Sequence, residues 1–83
     1  MAAVKIFTSV SGGTVEAKHL SGQWTITATS PTGQVLDTLR DAESPGDDSI
    51  RIFLSNSGMS DLESDLKLYV KQVMLRHKHG NGY

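Results

Sequence analysis

The stretch from Ser60 to His79 constrains this chain most. Ser60 followed by Glu63 fits a capping box, in which hydroxyl and carboxylate each satisfy the other's backbone amide. Leu62, Leu66, Tyr69 and Val73 then recur at helical spacing, with Val70, Met74 and His77 flanking the stripe. Acids (Asp61, Glu63, Asp65) occupy the first turns and bases (Arg76, His77, Lys78, His79) the last, as the helix dipole favours. Gly80 is placed to stop the helix. Such a helix cannot bury its stripe alone, so the preceding residues must supply an apolar surface.

They read as strands. Ala3 to Val10 alternates, and we assign Val4, Ile6 and Val10 to the core face and Lys5, Phe7 and Ser9 to the other. After the turn Ser11-Gly12-Gly13, Thr14 to Leu20 is expected to turn Val15 and Ala17 inward. Ser21-Gly22 is a short hairpin connection to Gln23–Ser30, where Trp24, Ile26 and Ala28 share one face and threonines the other. Ser30-Pro31-Thr32-Gly33 is a turn, with Pro31 fixing φ and Gly33 free to go left-handed. Gln34 to Arg40 keeps no single register, which suits an edge strand with a bulge or a turn of helix. An acidic loop from Asp41 to Ser49 follows. Ser49 to Ser55 then alternates, with Ile50, Ile52 and Leu54 inward and Arg51 and Phe53 outward.

The expected fold is α+β: a two-layer antiparallel meander of about five strands, with one C-terminal amphipathic helix on one face. It forms one domain over residues 1–80, with 81–83 as a flexible tail. A chain of 83 residues buries roughly 60–65% of its unfolded surface, so the core is thin. The chain has no cysteine to staple that core, bind metal or act as a thiol nucleophile. Neither a signal peptide nor a membrane-length apolar run is present, and together with the missing cysteines this points to an intracellular, cytoplasmic location.

The formal net charge of −1 supplies no global field toward nucleic acid or membrane, so recognition must come from local patches. One patch is suggested by an internal echo. Lys5-Ile6-Phe7 running into Ser9-Val10-Ser11-Gly12 aligns with Arg51-Ile52-Phe53 running into Ser55-Asn56-Ser57-Gly58. With the isoleucines inward, Phe7 and Phe53 stand on the outer sheet face beside Lys5, Arg51 and Lys18. Such rings would meet a protein partner or a second copy, or be covered by a loop of the same chain. The alternative is single-stranded nucleic acid, with bases stacked on the rings and phosphates on the cations. The element order is similar to that of single-stranded-DNA-binding transcriptional cofactors and PUR repeats, but no motif matches theirs, so the order carries no function.

A second patch is the back of the helix, where Leu68 and Leu75 lie a heptad apart and can meet a partner helix. The acidic residues Asp41, Glu43, Asp47 and Asp48 read as a solvated turn, not an EF-hand loop. His77 and His79 are two apart and do not share a helical face, and His19 has no acid-base partner nearby in sequence, so no metal site or cofactor is expected. No nucleophile elbow, phosphate loop or zinc-helix motif occurs, which argues against an enzyme. The reading is a small accessory or inhibitory protein-interaction module, of a style shared by phage proteins.

Overall fold

In the computed structural model, residues 3–78 are described. The expected stop at Gly80, the second histidine of the His77/His79 pair and the tail at 81–83 lie outside them. Strands β1 (Ala3–Thr8), β2 (Thr14–Leu20), β3 (Gln23–Thr29) and β4 (Val35–Asp41) are followed by helix α1 (Asp47–Asn56), a 3-10 turn at Ser60–Leu62 and helix α2 (Glu63–Lys78). The four strands form one antiparallel sheet in the order β1-β2-β3-β4, so β1 and β4 are its edges. Both helices cover one face, giving an α+β fold with four strands rather than five.

Turn chemistry sets the meander. Ser21 and Gly22 both have positive φ, 53° and 78°, the requirement of a tight two-residue hairpin between Leu20 and Gln23. Serine bears a cost there that asparagine largely avoids. Ser21→Asn should therefore raise stability by about 0.5 kcal/mol in urea unfolding with the slope unchanged. The other two hairpins share one design. The Gly12 amide donates to the Ser9 carbonyl and the Gly33 amide to the Ser30 carbonyl, with φ of 91° and 92° at the two glycines.

Register fixes which side chains go inside. Phe7 pairs with Val15 and Val15 with Ala28, Lys5 with Ala17 and Ala17 with Ile26, and Ala3 with His19 and His19 with Trp24. These rows face the helices. Val15, Ala17, His19, Trp24, Ile26 and Ala28 are fully buried there, as the alternation of β2 and β3 predicts for the apolar ones. On the opposite face Val4, Lys18, Thr25 and Arg40 form one row and Ile6, Glu16, Thr27 and Thr38 the next. β4 is an edge strand with a register shift opposite Ala28 and Thr29, and only Leu39 packs against the core from it.

Two strand assignments are corrected. First, β1 is turned over: Phe7 is buried, whereas Val4 and Ile6 are exposed. The pairing register shifts every β1 side chain to the other face. The exchange favours the larger ring, whose edge meets Tyr69 of α2 at 5.8 Å between centroids. Second, residues 49–55 are helical. Ile50, Phe53 and Leu54, at i, i+3 and i+4, are buried, while Arg51 and Ile52 face solvent. Asp47 and Asp48 favour the helix start through its dipole. The end is a Schellman motif: the Met59 amide donates to the Leu54 carbonyl, the Gly58 amide to the Ser55 carbonyl, and Gly58 has φ 70°. The shared Ser-x-Ser-Gly thus ends a strand once and a helix once, by the same left-handed glycine.

The stripe of α2 behaves as predicted. Leu62, Leu66, Val70 and Val73 are buried, with Tyr69 and Met74 packed against them. The capping box does not form; the Glu63 carboxylate accepts from Lys67 Nζ at 2.6 Å instead. The start of α2 is held by Asp61. Its carboxylate accepts from Ser9 Oγ at 2.8 Å and from the Val10 amide at 3.0 Å, which ties the β1–β2 turn to the helix. The Val10 amide first, and Ser9 next, hold the Asp61 carboxyl below the usual carboxylate range. A depressed carboxylate contributes stability above its unfolded value of 3.8, lost as pH falls through the folded value. Asp61→Asn should lower the melting temperature at neutral pH and flatten its fall in acid, measured by thermal melts along a pH series.

Candidate functional site

The direction of α2 places its flank along the β1 edge. Asp61 bonds Ser9 and Val10, Tyr69 lies over Phe7, and His77 reaches His19, the cross-strand neighbour of Ala3. The helix therefore runs antiparallel to β1. Between them opens a groove of about 320 Å³, lined by Lys5, Phe7, Asp65, Leu68, Tyr69 and Gln72. Residues 65, 68, 69 and 72 fall on one helical stripe, which is why they converge there.

Lys5 is the charged residue on the inner side of the edge strand. Its Nζ lies 5.3 Å from the Phe7 ring centre and 5.7 Å from that of Tyr69, so the cation rests on two ring faces. Neither Lys5 nor Asp65 belongs to an ion pair within the described residues. Exposed apolar side chains flank the edge on both sides, with Val4 and Ile6 on the open sheet face and Leu68 and Leu75 on the helix.

The expected binding residues are therefore divided. Lys5, Phe7 and Leu68 meet at one groove, although Phe7 is buried beneath α2 and only its margin lines it. Lys18 lies on the open sheet face between Val4 and Thr25. Arg51 is on α1, 3.1 Å from Asp48 across an exposed ion pair. Phe53 is buried beside it, facing the sheet. Lys5 stays over the Phe7 ring, but no single aromatic–basic surface joins all five residues. Sequence reasoning missed Asp65, Tyr69 and Gln72, whose i, i+4, i+7 spacing was visible but whose neighbour, β1, was not.

A wider cleft of about 440 Å³ lies between α1 and the start of α2, lined by Arg51, Ile52, Ser55, Asn56, Ser60 and Glu63. A smaller groove of about 250 Å³ runs between β4 and α1, past Leu39, Ile52 and Asn56. His19 is fully buried, its ring 4.9 Å from Trp24 and 5.2 Å from His77. Among the described residues no group of three or more histidines and carboxylates is placed to hold a metal ion. No helix among them is long and apolar enough to cross a membrane.

No family model matches the chain, and no curated protein or solved structure matches it either.

Proposed function

We propose that the protein is a small non-enzymatic interaction module that associates with a second copy of itself along the β1 edge and the adjoining flank of α2. The observation that carries this reading is an unpaired edge strand bordered on both sides by exposed apolar residues: Val4 and Ile6 on one, Leu68 and Leu75 on the other. A two-fold axis at that edge pairs β1 with its mate in the antiparallel sense already used throughout the sheet. The same axis sets the two α2 helices side by side, leucine against leucine. It also brings Lys5 of each copy toward Asp65 of the other, so two unpaired opposite charges become complementary.

Single-stranded nucleic acid has less behind it. The stacking rings expected for it, Phe7 and Phe53, are buried, and the open sheet face offers Lys18 and Arg40 alongside Glu16.

The test is the mass in solution at high micromolar concentration. The unmodified protein should sediment as a dimer, and Leu68→Glu with Leu75→Glu should sediment as a monomer with its melting temperature kept within a few degrees. A monomeric unmodified protein overturns the reading. So does a dimer that survives the double substitution, since its interface then lies elsewhere. Salt-sensitive binding of a labelled oligonucleotide by the monomer would favour nucleic acid instead.

A further inference from the structure

His19 is a polar ring in a site built for an apolar one. It is fully buried, and among the described residues neither Nδ1 nor Nε2 has a hydrogen-bond partner. Trp24 covers one side and His77 of α2 approaches edge-on at 5.2 Å. Among the described residues the charged groups around it are few. From α2 it meets His77; on β1 the nearest charge is Lys5, one pair further along the inner face; on β4, Asp41 lies beyond Trp24 in the same row. Among the described residues no carboxylate hydrogen-bonds the ring. A neutral imidazole is tolerated in such a place, but an imidazolium is not.

We propose that His19 is an acid-operated release for the C-terminal turns of α2. Those turns rest on the sheet through the contacts around this ring: His77 against His19, and Met74, whose sulfur accepts from the Trp24 indole N–H at 3.2 Å. Protonating His19 sets a cation in the core facing the His77 ring. The turns that cover the ring must lift to hydrate it. The start of α2 stays fastened, because the carboxylate of Asp61 keeps its bonds to Ser9 and Val10 well below the pH at which a histidine titrates.

The sign follows from linkage. Burial first, and the charge of His77 second, lower the His19 pKa below its ordinary 6.5. A base whose folded value is depressed gives its full stability above 6.5 and loses it as pH falls from there to the folded value. Within that window, opening that frees His19 should become about ten-fold more frequent per pH unit.

The experiment is amide hydrogen exchange with tryptophan fluorescence, from about pH 7.5 to about pH 5, where an ordinary histidine titrates. Trp24 is the chain's single tryptophan. Protection at 73–77 should fall about ten-fold per unit below 6.5 while protection at 63–66 holds, and Trp24 emission should shift with it. In His19→Phe both signals should be flat with pH. His77→Gln, which removes the neighbouring charge, should move the midpoint upward. Flat behaviour of the unmodified protein, equal loss along all of α2, or an unmoved midpoint in His77→Gln overturns the proposal.

Discussion

Phe53→Ala and Phe7→Ala should each destabilise the protein by about 3–5 kcal/mol, the usual cost of removing a buried ring and leaving its cavity. Both side chains are nearly inaccessible: 4% of Phe53 and 7% of Phe7 is exposed. Phe53 belongs to the α1 face that packs against the sheet, and Phe7 closes the groove under α2 with its edge to Tyr69. A domain of this size has roughly 5–10 kcal/mol in total, so either change should leave it marginal at 37 °C and the pair should not fold. Urea unfolding by circular dichroism measures the effect. If either alanine variant unfolds within about 0.5 kcal/mol of the unmodified protein, as surface changes do, that ring is outside the core.

Ile52→Asp and Leu54→Asp should behave as opposites. On a strand these residues share a face and both changes would be ruinous. On α1 they do not: Ile52 is 54% exposed and Leu54 is fully buried. Ile52→Asp should shift stability by less than about 1 kcal/mol, whereas Leu54→Asp buries an unpaired carboxylate and should prevent folding. Far-ultraviolet circular dichroism and a thermal melt of the two variants decide the matter. Comparable loss in both would restore a strand at 50–54.

These paired substitutions mark where the sequence was legible. β2 and β3 were readable because threonine on one face and Trp24, Ile26 and Ala28 on the other leave one solution. The turns were readable because left-handed φ at Gly12, Gly22 and Gly33 demands glycine or little else. The α2 stripe was readable because it repeats over four turns. Residues 50–54 were not, because Ile-Arg-Ile-Phe-Leu satisfies both periods: Ile50, Ile52 and Leu54 at two, Ile50, Phe53 and Leu54 at three to four. The deciding signals were outside the run, in the aspartates before it and Gly58 after it. The β1 face failed for a related reason. Val4, Ile6, Phe7 and Ala3 offer apolar residues to both sides of a six-residue strand, and only the partner's register chooses between them. The candidate site suffered most, since it depends on what lies beside β1, a neighbour 52 positions distant from Ser9 in the Ser9–Asp61 bond.

That separation governs how the molecule can be made. The three hairpins join neighbours in the chain and can form as they leave the ribosome, but Tyr69, the lid over Phe7, is translated about sixty residues later than the ring it covers. Until then the nascent sheet shows a bare aromatic at an open margin, the condition that recruits chaperones or misassembly. Synthesis speed between Thr8 and Tyr69 therefore sets how long this chain is sticky.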